Sequence, residues 1–527
     1  MKRWVISVIG LALTALTASA QLSDQQQIQK LNLVYQQIRG NYVDDVPLEP
    51  LVREAVIATL RELDPHSSYL DHEQMVALRS RLRGEFAGVG IRYIVHRDTL
   101  VVRSIINGSP AARAKIEIND RIVAIDDRPV VSITTDSIPQ LLRGKAGSSV
   151  IVTIKRRNAD KPLNIRLKRD NIESSAIDAS FRIGEVGYVA ISKFSKPLAS
   201  EFLTALRRLG DISSLVVDLR DNGGGAITSA IDLTGLFLRK GDVVVSTEGR
   251  TNNVVYDKKR DGALLDLPLV VIINENSASA SEIFAGAIQD HDRGVIVGHT
   301  SYGKGLVQRV IDFKDGTGMC LTVARYKTPS GRIIQRPYAM GQGEEYMRDT
   351  VRYMHPDSVP REHKLLFNTL HRGRKVYGGG GITPDVYVDT DTLTLSPSLA
   401  SLYREGLFEH LSVDICDNIS ADRLLNIYPT IEAFNANYEI GSPVMELFYQ
   451  QTGLVGDTLT PLDHSFIRAM ILSIVAQRLY GTDARYLIYN SSFDPMARQA
   501  LDIAGNPQRI EAILSGTVAE SSLLTPF

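Results

Sequence analysis

The sequence predicts a multidomain α/β protein, and three observations predict it. Apolar residues recur at helical spacing between 24 and 62, short strand-like runs with turn signals fill 84–170, and buried strands alternate with helices from 171 to 392, before a mainly helical stretch from 393 to 527. The chain has 527 residues, of which 44% are hydrophobic and 23% charged, enough for several globular domains. Its formal net charge of -1 gives no electrostatic reason to expect nucleic acid or an anionic surface as partner.

Residues 1–20 begin Met-Lys-Arg, continue through an apolar run from Trp4 to Leu16 and end Ala18-Ser-Ala20, the pattern of a secretory signal peptide. The run is short for a membrane span, and no later segment is apolar for long enough to cross a bilayer. The mature chain is therefore expected to be exported, periplasmic or secreted, with no membrane span. It carries only Cys320 and Cys416, which do not make a disulfide scaffold; Cys320, in the alternating run 319–326, reads as a buried thiol.

Residues 21–83 form an N-terminal helical segment. Ile28, Leu31, Val34, Tyr35 and Ile38 make one stripe and Val52, Val56, Ile57 and Leu60 another, with Pro47 and Pro50 between them, so a helical hairpin is expected, closed by Asp64-Pro65-His66. In 84–170 the strands are expected at 89–95, 100–105, 121–125, 149–155 and 163–167, with short helices near 110–114 and 135–142. In 171–392 the expected order is strand 187–191, helix 198–209, strand 214–219, helix 227–238, strand 267–273, helix 281–291 and strand 294–297. Continuous apolar strands such as 214–219 belong to a sheet covered on both faces. Beyond 393 the clearest helical stretches are 466–479 and 495–514; this extension is expected to pack on the core or to mediate assembly, as a homo-oligomer contact or an adaptor surface.

The segment Phe86-Ala-Gly-Val-Gly-Ile91, with Gly108-Ser-Pro-Ala-Ala112 and Asp120-Arg-Ile-Val-Ala-Ile-Asp126, resembles a PDZ domain of the kind found inside bacterial proteases. The resemblance implies capture of an extended C-terminal peptide as an added strand, with backbone amides of Gly88, Val89 and Gly90 holding its carboxylate. Lys115 and Asn119 stand where glycines are expected; asparagine tolerates a left-handed backbone, whereas lysine does so less readily.

Three further segments carry the chemistry: Asp218-Leu-Arg-Asp-Asn-Gly-Gly-Gly225, Asn274-Glu-Asn-Ser-Ala-Ser-Ala-Ser-Glu282 and Thr300-Ser-Tyr-Gly-Lys-Gly-Leu-Val-Gln308. Taken alone, Ser279-Ala-Ser-Glu282 at a strand-to-helix seam is a capping box whose role is to satisfy amide donors. The three together closely resemble the carboxyl-terminal processing, or tail-specific, peptidases. Gly187-Tyr-Val-Ala-Ile-Ser-Lys-Phe194, Tyr326-Lys-Thr-Pro-Ser-Gly-Arg332 and Gly378-Gly-Gly-Gly-Ile-Thr-Pro-Asp385 add matches in the same order, so that the resemblance covers roughly residues 25–390.

By that resemblance the core is crotonase-like, Ser279 is the nucleophile and Lys304 its base. A serine hydroxyl needs a base, and lysine serves only when neutral. Lowering its pKa from ~10.4 to ~7–8 means destabilising the charged form by roughly 3–5 kcal/mol, which burial can do. Gln308 and Glu282 are the candidates for orienting the lysine. A carboxylate beside it would raise its pKa, so Gln308 is preferred and Glu282 is left as the helix cap. The amides of Gly224 and Ala280 are the expected donors to the tetrahedral oxyanion. The whole reads as an exported serine endopeptidase acting on protein or peptide substrates with accessible C-termini, its PDZ groove delivering the chain or releasing an inhibitory block. No metal or organic cofactor is implied.

Other readings are weaker. Gly298-His-Thr-Ser-Tyr-Gly-Lys304 matches most of a phosphate-binding loop but has Gly305 where a Ser or Thr should hold magnesium. His291 or His299 could act as base to Ser279, although His291 at a helix C-terminus reads as a surface residue. His355, His363 and His371 lie in a charged segment whose default is solvated loop. A catalytically inactive PDZ scaffold on the same core is the alternative from another class.

Overall fold

The computed structural model describes residues 23–517 apart from 98, 131–136, 158, 252, 349–364, 391–393 and 455. The predicted signal peptide, His355 and His363 lie outside the described residues. The chain divides into two units, Met1–Leu60 and Arg61–Phe527.

In the first unit, α1 (Asp24–Asn41) is capped by Ser23, whose hydroxyl accepts the Gln26 N–H while the Gln26 side chain returns the bond. None of its residues is buried, and Ile28, Leu31 and Val34 are 63%, 51% and 48% exposed. Helix α2 (Leu48–Leu63) contains Pro50 in its first turn, where the missing N–H has no intrahelical partner to lose, so Pro47 alone marks the break.

In the second unit, β1 (Ser68–Leu70) and α3 (His72–Arg83) lead to β2 (Glu85–Gly88). The small domain follows as β3 (Ile91–His96), β4 (Thr99–Ile105), α4 (Pro110–Arg113), β5 (Arg121–Ile125), β6 (Arg128–Pro129), α5 (Ile138–Leu142), β7 (Ser149–Lys155) and β8 (Leu163–Lys168). Its antiparallel sheet has the order β3-β4-β5-β7-β8, with β6 on β5. Strand β9 (Asp170–Glu173) then returns to pair with β2, so the chain enters and leaves this domain through one two-stranded ribbon. Lys115 and Asn119 both take the left-handed conformation, φ 57° and 72°, that glycine would have supplied.

The core continues with β10 (Ile177–Ile183), β11 (Val186–Ile191), α6 (Leu198–Leu209), β12 (Ser214–Asp218), α7 (Ile227–Thr234), β13 (Val243–Glu248), β14 (Val254–Asp257), β15 (Leu269–Ile273), α8 (Ala280–Asp290) and β16 (Val295–Gly298). After these come β17 (Leu306–Asp312), β18 (Gly318–Lys327), α9 (Gly343–Arg348), β19 (Leu365–Asn368), β20 (Lys375–Gly378) and β21 (Val386–Tyr387). The main sheet runs β10-β11-β12-β15-β16-β21, parallel except at its first pair, and a second sheet runs β1-β18-β13-β14 with β17 against β18. Strands β11, β12, β15 and β16 are buried along their whole length. On one face Val189, Val217, Val271 and Ile296 meet Phe202, Leu233 and Phe284 of α6, α7 and α8.

The other face is covered by the C-terminal helices. There, α10 (Pro397–Arg404), α11 (Leu407–Asn418), α12 (Ala421–Ile427), α13 (Ile431–Asn437), α14 (Ser442–Thr452), α15 (Pro461–Tyr480) and α16 (Thr482–Ser492) share a core of their own, in which Phe408, Phe434 and Phe448 pack with Phe466 and Ile471. Helices α17 (Pro495–Ala504) and α18 (Pro507–Leu514) instead belong to the sheet, with Ala497, Ala500 and Ile503 in one cluster with Tyr188, Val216, Val270 and Val297. What the sequence suggested as one helical stretch is split because Asn506 caps a new helix and Pro507 cannot continue the old one. The small domain is tied to α11 by Arg97–Asp414 (3.2 Å), Arg103–Glu409 (3.2 Å) and Arg121–Asp417 (2.6 Å). Among the described residues no helix is long and apolar enough to cross a membrane.

Candidate active site

Strand β15 ends at Ile273, and the chain turns sharply before α8. Asn274 shapes the turn: its N–H donates to Ser277 Oγ (3.0 Å), while its side-chain oxygen accepts the Asp221 N–H (2.9 Å). The turn delivers Ser279 to the N-cap of α8 with φ 57° and ψ -109°, a conformation that costs a non-glycine residue about 1–3 kcal/mol. Its backbone is held from both sides, the N–H by Glu282 Oε2 (2.7 Å) and the carbonyl by the Tyr326 hydroxyl (3.1 Å). Ser279 and Glu282 have the disposition of a capping box, yet the serine hydroxyl makes no capping hydrogen bond.

Glu282 is wholly buried and does more than close that box. Its Oε2 also accepts the Lys304 N–H (2.9 Å), and its Oε1 accepts the Gly303 N–H (2.7 Å) and the Ser301 hydroxyl (2.6 Å). One carboxylate thus staples the turn that carries Ser279 to the loop that carries Lys304. Burial pushes its pKa up, and the four donated hydrogen bonds oppose that rise. Tyr326 repeats the link on the carbonyl side, its hydroxyl also lying 2.9 Å from Lys304 O.

The Lys304 ammonium donates to Gln308 Oε1 at 2.8 Å. Gln308 is itself oriented, because its Nε2 donates to the His66 carbonyl (2.5 Å). That carbonyl is placed by a turn built on Asp64, whose Oδ1 accepts the His66 and Ser67 N–H groups, each at 2.8 Å. Burial lowers the Lys304 pKa from the ordinary lysine value, against weaker opposing effects from Cys320, Glu282 and Asp64. His66 is lowered to about 4, first by burial and then by Lys304, and so is neutral around pH 7.

Ser279, Ala280, Lys304 and Gln308 border one cavity of about 390 Å³, together with Gly223, Gly225, Cys320 and Tyr326. Its remaining lining is largely apolar, with Leu78, Ile227, Ile283, Leu306 and Val307 among the walls. Gly224 faces differently. Its N–H, expected to be free for an oxyanion, donates to Asn222 Oδ1 at 2.9 Å, and Asn222 is fixed in turn by its Nδ2 bond to Ile191 O (2.8 Å). At φ 89°, Gly224 lies so close to the serine turn that a Cβ would be 2.7 Å from Ala278 O and 2.9 Å from Ala280 N. The loop is anchored from behind by Arg220, which binds Asp218 (2.7 Å) and Asp494 (2.6 Å) at the N-cap of α17.

The sequence pattern of Peptidase family S41 matches residues 185–340, and that of the PDZ domain matches residues 87–167. A carboxy-terminal-processing protease of Bartonella bacilliformis is 36% identical over 330 residues, covering 61% of this chain and 75% of that protein. The chain belongs to the carboxy-terminal-processing proteases of peptidase family S41. It is a serine protease of that family with an internal PDZ domain. A probable CtpA-like serine protease of Staphylococcus aureus is 28% identical over 380 residues, covering 68% of this chain and 75% of that one. Among solved structures, a photosystem II D1 C-terminal processing protease is 25% identical, covering 71% of this chain and 95% of that chain, with a TM-score of 0.35.

In this S41 protease the histidines weighed as alternative bases are placed elsewhere. His291 caps the C-terminus of the 11-residue α8, about 18 Å along the axis from Ser279, and is buried rather than on the surface, its Nε2 pairing with the Val243 carbonyl (2.8 Å). His299 lies between Glu275 (3.2 Å) and Val388 O (3.0 Å). Cys320 is half-buried at the cavity rather than fully buried in a strand, and both cysteines are free. The site roles of Ser301, Asp494 and the Asp64–His66 turn have no signal in the sequence, because each acts through a partner distant along the chain. Tyr326 was visible only as the first residue of a motif.

Proposed function

We propose that the protein is an exported serine endopeptidase using Ser279 as nucleophile and neutral Lys304 as its base. The observation that carries the proposal is that both residues border one partly apolar cavity in which burial disfavours the lysine's charge and Gln308 receives its hydrogen bond. In the reaction, Lys304 takes the Ser279 proton as the oxygen attacks the scissile carbonyl. The protonated lysine then returns it to the leaving amine, and water hydrolyses the serine ester by the same route. Donors to the oxyanion are assigned to the Ala280 amide and to the cavity-lining part of the glycine loop, Gly223 or Gly225; Gly224 can join only if its bond to Asn222 is exchanged. Gln308 orients the lysine, and Glu282 holds both loops.

Incubating wild type and Ser279→Ala with an unstructured protein tests this: cleavage by wild type alone is expected. Equal cleavage, or none by either, overturns the assignment and in the second case leaves an inactive scaffold. Export is tested by N-terminal sequencing of the protein recovered outside the cytoplasm, where Gln21 is the expected first residue.

The PDZ groove is assigned to capture of substrate C-termini. A cavity of about 200 Å³ runs beside Gly88, Val89 and Gly90, with Ile91, Tyr93 and Leu142 as apolar walls and Arg143 adding positive charge. Gly90, at φ 83°, admits no side chain, since a Cβ would lie 2.1 Å from Ser109 Cβ. Amidating a peptide's C-terminus is expected to weaken its binding in a fluorescence titration; unchanged affinity would remove the carboxylate role from this loop. The exposed apolar stripe of α1 supports assembly through the helical segments, as homo-oligomer or adaptor contact.

A further inference from the structure

At the end of α8 opposite Ser279, two imidazoles and a carboxylate come together that the proteolytic chemistry does not use. His291 caps the helix, His371 lies in the turn between β19 and β20, and Asp242 immediately precedes β13; their ligand atoms all lie within 4.8 Å of one another. We propose that these three residues bind a borderline first-row divalent cation, zinc, as a structural clamp.

The geometry of the two histidines carries the inference. His291 Nδ1 and His371 Nε2 face each other at 3.4 Å. A proton on His371 Nε2 makes only a long hydrogen bond to His291 Nδ1 at that separation, past the ~2.9–3.0 Å at which N–H bonds to oxygen cluster. The separation agrees with the about 3.3–3.4 Å between two nitrogens bound at ~2.0–2.1 Å to a tetrahedral zinc. His291 is prepared for this role: its Nε2 lies 2.8 Å from the Val243 carbonyl, so the ring proton sits there and leaves the Nδ1 lone pair facing His371. The His371 backbone is held in place by Asp292, whose Oδ2 accepts the His371 and Arg372 N–H groups (3.2 and 2.8 Å) and whose Oδ1 binds Arg374 (2.7 Å). Leu370 N–H also donates to Asp290 O at 2.7 Å, fixing the hairpin against the helix end.

Asp242 supplies the third ligand by a small side-chain rotation. One of its oxygens now accepts the Arg239 N–H (2.8 Å), and the other, which has no hydrogen bond among the described residues, can turn toward the histidines. Two imidazoles and a carboxylate suit zinc better than calcium or magnesium, which take oxygen ligands. His371 is exposed, so the fourth position opens to water and the ion has an entry path. Occupancy would join three elements distant in sequence at one end of the nucleophile helix, and so stabilise the fold without entering the reaction.

The test uses the full chain without affinity-tag histidines, stripped with EDTA and dialysed. Adding Co²⁺ as a visible probe is expected to give a saturable four-coordinate d–d band at one equivalent, which Zn²⁺ abolishes, and Zn²⁺ is expected to raise the Tm. His371→Ala, at an exposed position that leaves folding intact, is expected to lose the band and the Tm rise; Asp242→Asn should weaken binding roughly tenfold or more. A wild type that gives no saturable band, or a His371→Ala variant that binds as wild type does, overturns the proposal.

Discussion

Lys304→Ala is expected to abolish peptidase turnover while leaving the fold intact. The side chain's hydrogen bond is to Gln308, whereas the backbone contacts that hold the loop, Lys304 N–H to Glu282 and Lys304 O to Tyr326, survive truncation. Removing a general base costs about 10²–10⁴ in rate, and more where the nucleophile is an unactivated hydroxyl. Lys304→Arg should fail equally, because a guanidinium keeps its proton. The pH dependence has a definite sign. Lysine works only when neutral, so kcat/KM rises with pH through its pKa; burial lowers that pKa, placing the rising limb below the ~10.4 of an ordinary lysine. A pH–rate profile of wild type beside both variants checks this, and alkaline pH should restore little to either. Retained turnover in Lys304→Ala would move the base role to another group.

The sequence made legible whatever depends on local pattern. The alternation of strands and helices and the seam at Ser279 follow from spacing and residue type, whereas the left-handed turn at Lys115 and Asn119 was implied only by the family resemblance, and Lys115 argued against it. The family resemblance supplied Gln308 and Glu282 as candidates for the lysine's partner and charge ranked them, since a carboxylate would hold the ammonium charged; in the structure the Lys304 ammonium donates to Gln308. What escaped is long-range. Apolar strands such as β15 demand cover on both faces, yet nothing in residues 269–273 says that α17 and α18 supply the second layer. The direction of one peptide plane, which gives the Gly224 N–H to Asn222, is set by packing against Ala278 and Ala280 and has no sequence signature. His291 looked like a solvated cap because its buried partner, the Val243 carbonyl, is a backbone group on another strand.

Glu282→Ala separates two roles for one residue. If Glu282 were only the reciprocal half of a helix cap, its removal would cost about 0.5–2 kcal/mol. The structure gives it four donors in a wholly buried position: the Ser279, Gly303 and Lys304 N–H groups and the Ser301 hydroxyl. Each buried donor left unpaired costs about 1–3 kcal/mol, and even with water entering the space the loss should reach about 3 kcal/mol or more. Since 1.4 kcal/mol is a factor of ten, hydrogen-exchange protection across residues 276–306 should fall by roughly a hundredfold or more. Turnover should collapse with it, because the strained backbone of Ser279 and the position of Lys304 rest on the same carboxylate. Glu282→Gln should fall between, keeping one carbonyl acceptor but turning an amide NH₂ against two donors. A loss confined to the first turn of α8, with Gly303 and Lys304 still protected and turnover preserved, would reduce Glu282 to the cap that Ser279-Ala-Ser-Glu282 first suggested.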